Sequence, residues 1–171
     1  MIIKEITGNL LEEFEKGTID IMVHGCNCFH IMGAGIAGQI RWAYPEAYEA
    51  DLETPCGYIN KLGKRSVTKI KRTTSQFIIN AYTQFKPGAN FEYLALIKFL
   101  ETLNEDFDGA SYIFGFPQIG SGIGGGDWSY IKDIINTYTP NLKIVIVYYD
   151  NGEKTVGTPK ANIEPKAKGL K

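Results

Sequence analysis

Hydrophobic positions recur along the chain with two periods, and each change of period marks an element. Runs of β-forming residues predict strands over residues 2–6, 19–23, 77–82, 112–116 and 143–149. Residues 67–71 alternate apolar and basic side chains, the pattern of an exposed edge strand, and form a hairpin with 77–82 around 73–76. Helical spacing predicts a helix over 10–16, with Asn9 as its N-cap, and another over 36–44 through Ile36, Ile40 and Ala43. Pro45 ends that helix or opens a second one over 45–51, since proline suits a first helical turn. Tyr93, Leu96, Ile97, Leu100 and Leu103 share one face of a helix over 92–104. A last helix, 128–138, turns Trp128, Ile131, Ile135 and Tyr138 inward. Strands alternating with helices predict an α/β sandwich around a mixed sheet.

After residue 150 the pattern stops. Residues 151–171 hold five lysines against two glutamates, with no periodicity, and read as a flexible basic tail behind one domain at 1–150. The 171 residues are 44% hydrophobic and 22% charged, which excludes disorder as the main state. No apolar run approaches the ~18 residues of a membrane span. With no apolar signal core near the N-terminus, a cytoplasmic protein is expected. Net charge is −1, so bulk nucleic-acid binding is not expected. Cys26, Cys28 and Cys56 are odd in number and read as reduced thiols.

Glycine does change the picture, because it clusters. Gly33-Ala34-Gly35-Ile36-Ala37-Gly38 and Gly120-Ser121-Gly122-Ile123-Gly124-Gly125-Gly126 each lie between a predicted strand and a predicted helix. Glycine permits positive φ and close backbone approach, and a helix N-terminus adds partial positive charge. Such loops hold phosphate without Lys or Arg, and two of them suggest a pyrophosphate. Both fit G-x-G-x-x-G, but about ten residues separate Val23 from Gly33, and no acidic residue ends the next strand. A dinucleotide oxidoreductase is therefore disfavoured. The alternative is that the loops are plain turns.

His24, Cys26, Cys28 and His30 resemble a zinc set. Extended chain would spread them over ~20 Å at ~3.3 Å per residue, whereas zinc gathers its ligands within ~2.3 Å. Cys26 and Cys28 then read as small buried fillers. His24 and Asn27 follow a buried strand, at the edge where open α/β sheets hold ligands. There Asn27 is able to bond ribose hydroxyls and His24 to move a proton, or His24 is simply a satisfied histidine at a strand end.

Three stretches resemble the ADP-ribose-binding macro domain family, in its yeast-type ADP-ribose 1''-phosphate phosphatase branch. They are His24-Gly25-Cys26-Asn27-Cys28 with Met32-Gly33-Ala34-Gly35-Ile36-Ala37, then Pro117-Gln118-Ile119-Gly120-Ser121-Gly122-Ile123, and Gly8-Asn9-Leu10. The resemblance implies a three-layer α/β/α sandwich and an ADP-ribose cleft at the carboxyl edge of a central mixed sheet. It puts Gly8, Asn9 and Leu10 near adenine and Tyr149 stacked on it. Gly25, Cys26, Asn27 and Met32 would meet the ligand, Asn27 at the distal ribose. Gly33, Ala34, Gly35, Ile36 and Ala37 would cradle the diphosphate with Gly120, Ser121, Gly122, Ile123 and Gly124. His24 would be catalytic. Family members that remove ADP-ribose from glutamate carry a Lys where this chain reads Tyr82-Thr83-Gln84-Phe85, and an Asp where Gly124 stands. The expected activity is release of phosphate from ADP-ribose 1''-phosphate by a monomer, with no cofactor and no metal. The alternatives are removal of ADP-ribose from protein or nucleic acid, and a non-enzymatic ADP-ribose-binding module. Asp127 either reaches the cleft or caps the helix behind it.

Overall fold

The computed structural model describes residues 1–71, 73 and 75–150. The expected tail, 151–171, lies outside the described residues. In chain order the elements are β1 (Ile2–Gly8), α1 (Leu10–Glu15), β2 (Ile21–Asn27), α2 (Gly35–Ala43), α3 (Pro45–Leu52), β3 (Arg65–Lys69), β4 (Phe77–Gln84), α4 (Tyr93–Asp106), β5 (Ile113–Phe116), α5 (Trp128–Tyr138) and β6 (Lys143–Tyr149). The strands form one sheet in the order β1-β6-β5-β2-β4-β3. Every neighbouring pair is parallel except β3 with β4, so the sheet is mixed.

Parallel strands need helices on both faces, and the sequence supplies two apolar sets. On one face Ile21 and Val23 of β2 join Leu96, Phe99, Leu100 and Leu103 of α4 and Ile131, Ile134 and Ile135 of α5. On the other, Met22, Cys26 and Cys28 join Leu10 and Phe14 of α1 with Ile40, Tyr44 and Ala47 around α2 and α3. Each fully buried large side chain contributes about 1.5–3 kcal/mol of transfer free energy, so both faces are strongly specified. The result is the three-layer α/β/α sandwich.

Two expectations are revised. β2 does not stop at Val23: His24, Gly25 and Cys26 keep parallel register with Asn80, Ala81 and Tyr82 of β4, and the ladder shifts only between Cys26 and Asn27. His-Gly breaks the apolar run but not the backbone pairing. In α5 the inward residues are Ile131, Ile134 and Ile135, while Trp128 and Tyr138 only flank the core. The hairpin of β3 and β4 stands as expected, and Pro45 does open a helix, α3.

Candidate functional site

A cleft of about 280 Å³ opens at the carboxyl ends of β2, β4 and β5. Its first wall is built by residues 33–37. α2 begins at Gly35, whose φ of +55° is a left-handed conformation suited to glycine. The N-cap, Ala34, offers no side-chain bond, so the first-turn amides of Gly35, Ile36 and Ala37 have no capping partner. These three residues line the cleft, and the helix end adds partial positive charge. Gly38 serves another purpose: a Cβ there would sit 3.1 Å from the Gly33 carbonyl group, so it lets α2 close on its own loop.

The second wall, residues 117–124, is a self-bonded turn. Gly126 N donates to Gly120 O (2.9 Å), and Gly125 N to Gly122 O (3.1 Å). Gly120 has φ +76°, and a Cβ on it would lie 2.2 Å from the Phe91 ring. Ile123 reaches across to the first wall: its Cδ1 is 3.9 Å from the Cβ position of Gly35. No open helix end follows this loop, and of the two readings of Asp127 the cap is the one the structure bears out. The Asp127 side chain caps α5 by accepting from Tyr130 N (3.1 Å).

Of the expected ligand residues, the fold brings Gly25, Cys26, Asn27, Gly33, Ala34, Gly35, Ile36, Ala37, Gly120, Gly122, Ile123 and Gly124 together around this cleft. Six others stand apart from its lining. Met32 is core, 1% exposed. The Ser121 hydroxyl turns back to donate to Gln118 O (2.9 Å). Asn9 caps α1 by accepting from Leu11 N (2.9 Å). Gly8 pairs with Tyr149 at the β1–β6 end of the same sheet edge, beside Leu10, which is buried. Asn27 lines the cleft, but its carboxamide also builds the following turn: Oδ1 accepts from Phe29 N (2.9 Å) and Nδ2 donates to Ile31 O (2.7 Å). Sequence reasoning did not select Ile31, Thr83, Gln84, Pro87 or Gly88 as site residues, although all line the cleft. The signal was available, since β4 runs parallel to β2 and ends at the same edge.

His24 is a correction. Its side chain is fully buried and does not line the cleft. Strand alternation turns it to the face of α3, with Met22 and Cys26. There Asn80 Nδ2 donates to Ala47 O (2.8 Å) and Ser66 Oγ (2.9 Å), which leaves Asn80 Oδ1 to accept from His24 Nε2 (2.7 Å). His24 Nδ1 then accepts from the Cys26 thiol at 3.6 Å. Burial pushes the imidazole pKa down to about 4, against the opposing pull of Asn80 and of the Asp51 charge. The ring is held in this network and stands apart from the cleft lining, so the fold does not bring His24 to the position expected of it.

The same face carries more polar chemistry. Tyr82 Oη, 2.9 Å from Ser66 Oγ, donates to Asp51 Oδ1 (2.8 Å). Lys61 Nζ lies 3.3 Å from that carboxylate oxygen and 4.2 Å from the centroid of the Tyr82 ring. Burial raises the Tyr82 phenol well above its ordinary pKa. Among the described residues no group of three or more His, Cys, Asp or Glu side chains is placed to hold a metal ion.

The cleft itself is electrically plain. Among the described residues that line it, Cys26 is the only one that can ionise, and burial, aided by the Asp51 charge, holds that thiol protonated by raising its pKa far above the ordinary range. What these residues offer a ligand is backbone amides, one helix end and neutral side chains.

The Macro domain family model matches residues 23–135. The chain belongs to the macro domain family. An uncharacterized 17.5 kDa protein of the tk-vs intergenic region of Enterobacteria phage T4 is 46% identical over 155 residues, covering 88% of this chain and 98% of its own. The ADP-ribose 1''-phosphate phosphatase of Saccharomyces cerevisiae is 26% identical, over 82% of this chain and 95% of its own. Among solved structures, the macrodomain of Mycobacterium tuberculosis DarG aligns with a TM-score of 0.70 at 25% identity, over 86% of this chain and 97% of that one. Thermosipho africanus DarTG in complex with ADP-ribose aligns with a TM-score of 0.65 at 18% identity, over 80% of this chain and 39% of that one. Among the described residues, no helix of this macro domain is long and apolar enough to cross a membrane.

Proposed function

We propose that this macro domain binds ADP-ribose and releases phosphate from ADP-ribose 1''-phosphate. The observation that carries the reading is the pair of facing glycine walls, one of them an uncapped helix N-terminus, around an uncharged cleft. That arrangement suits a diphosphate. The name of the yeast relative supports the terminal phosphate as the reacting group.

Because no described side chain of the cleft is set up as a general acid or base, the proton in this reading comes from the substrate. Water attacks phosphorus, the bond from phosphorus to the anomeric oxygen breaks, and that oxygen takes the proton carried by the phosphate monoanion. The products are ADP-ribose and dihydrogen phosphate. The walls supply positioning, and their amides stabilise charge on the phosphoryl oxygens. A phosphate monoester has its second pKa at about 6. Turnover is then full where the monoanion dominates and declines as pH rises through that value.

Removal of ADP-ribose from glutamate is a poorer fit. The resemblance puts Gly124 at the position of an Asp, and a Cβ at Gly124 would lie 2.7 Å from Gly120 O. A second reading, a binding module without turnover, is favoured by the same lack of an acid or base.

The test is inorganic phosphate release from ADP-ribose 1''-phosphate with chelator present, beside calorimetric binding of ADP-ribose. Gly122→Glu is the control, because a Cβ at Gly122 meets nothing within 4 Å and the fold tolerates it. A carboxylate there faces the diphosphate and weakens binding by about 100-fold. Binding without release selects the module; no binding of ADP-ribose removes both readings.

A further inference from the structure

We propose that the Thr83 hydroxyl is a specificity-determining contact for the ribose end of the ligand, the end away from adenine. The inference rests on the ADP-ribose reading above and names a residue that reading does not contain. Thr83 is the penultimate residue of β4, lines the cleft and is 1% exposed. Its Oγ1 is buried with no hydrogen-bond partner. One other side-chain atom among the described residues shares that state, Asp51 Oδ2, but its sister oxygen takes Lys61 and Tyr82. The Thr83 hydroxyl has nothing. Buried hydroxyls are almost always bonded, because leaving one unpaired destabilises the fold. Valine would fill the same space without that penalty, so the hydroxyl is not there for packing.

Its neighbours make room for it. A Cβ at Gly25 would stand 2.9 Å from Thr83 Oγ1 and 3.3 Å from Ile119 Cγ1, so glycine at 25 keeps the hydroxyl clear. Gly25 and Ile119 also line the cleft, which places Oγ1 on its floor. The Thr83 main chain is fixed, its carbonyl accepting from Glu92 N (2.9 Å). Beside it, Gln84 Nε2 donates to Lys86 O (3.0 Å), and Oε1 faces the second wall, 3.2 Å from the Cβ position of Gly124. The floor therefore offers one hydroxyl and one carbonyl oxygen, a set suited to sugar hydroxyls.

Sheet order decides which part of the ligand meets them. The two glycine walls follow β2 and β5, at the centre of the sheet. β1 and β6 lie on one side of that centre and β4 on the other. A ligand whose diphosphate sits between the walls, with its adenine toward β1 and β6, brings its far ribose to β4.

The experiment compares ADP-ribose with ADP, which has the diphosphate but not the far ribose. Wild type, Thr83→Val and Thr83→Ser are measured by calorimetry, with Tm alongside. The expected result is that Thr83→Val loses about tenfold in ADP-ribose affinity and nothing in ADP affinity. Its Tm rises by about 2–4 °C as the unpaired hydroxyl disappears. Thr83→Ser keeps wild-type affinity for both. Unchanged ADP-ribose binding in Thr83→Val overturns the inference, as does an equal loss for both ligands. A lower Tm in Thr83→Val shows the hydroxyl to be structural and overturns it too. Wild-type protein that binds neither ligand overturns the ADP-ribose reading and this inference together; wild-type binding with no Thr83 effect overturns the inference alone.

Discussion

The two faces of β2 carry opposite chemistry. Toward the cleft lie backbone amides, glycines and neutral side chains, with no ionised group. Toward α3 lie His24, Cys26 and Cys28 of the strand and its extension, with His24 tied to Asn80 and with Ser66, Tyr82, Asp51 and Lys61 linked in one polar network. The first face borders the cleft; the second is packed shut, with its polar atoms largely paired. The difference teaches that a cluster of reactive residue types in a strand marks chemistry only when it faces a cavity. The reactive-looking set here is packed into the scaffold, and the plain set faces the candidate site.

The hardest break of that comparison is Asp51→Ala. It leaves the Lys61 ammonium, 5% exposed at the side chain, without its buried partner. Removing one member of a buried pair costs about 3–5 kcal/mol. Urea unfolding at neutral pH is expected to show a loss of that order. ADP-ribose affinity of the protein that remains folded stays within about twofold of wild type. Affinity lost at unchanged stability would make the network part of the site and erase the contrast.

Proton linkage sharpens the comparison without a change of fold. The folded-state pKa of His24 is lowered to about 4 from its ordinary 6.5. Between those values the unfolded chain binds more protons, so stability rises with pH in that window. It is full above pH 6.5 and drains away as pH falls toward 4, by about 3 kcal/mol in all. Unfolding curves at pH 7.5, 6 and 4.5 measure the slope, and His24→Gln flattens it. Phosphate release follows the substrate phosphate instead, with its limb near pH 6. A limb of turnover that moves with His24→Gln would return the histidine to the mechanism.

Much of this was readable from the chain. The apolar runs of β4 and β6, the amphipathic α4 and the edge pattern of β3 depend on local periodicity, which the fold preserves. The glycine walls were readable because left-handed φ at Gly35 and Gly120 requires that residue type. The direction of His24 was not. β2 is buried on both faces, so its sequence lacks the polar alternation that tells one face from the other. The decision rests on Asn80, 56 residues away, and on the α3 carbonyl that orients it. Asn27 was half readable, because one carboxamide is equally suited to tying a turn and to bonding a sugar. Thr83 was readable only by place: β4 ends at the right edge, but a threonine near a strand end is ordinary until its hydroxyl proves to have no partner.

The smallest test concerns Asp127, which sits at the boundary between the cleft loop and the scaffold. Its carboxylate accepts from Tyr130 N at 3.1 Å, and its own N–H donates to Tyr93 Oη at 2.8 Å. Both bonds tie α5 to its first turn and to α4; neither points to the ligand. Asp127→Ala removes one cap, worth about 1 kcal/mol. Asp127→Asn keeps the accepting oxygen and costs less. Thermal unfolding is expected to rank wild type, Asn and Ala in that order, with phosphate release the same for all three. If Asn matches wild type in stability yet loses turnover, the carboxylate acts on the substrate, and the cleft is no longer free of ionised groups. That outcome would replace substrate-supplied protons with a protein acid or base, so even this small change bears on how the reaction runs.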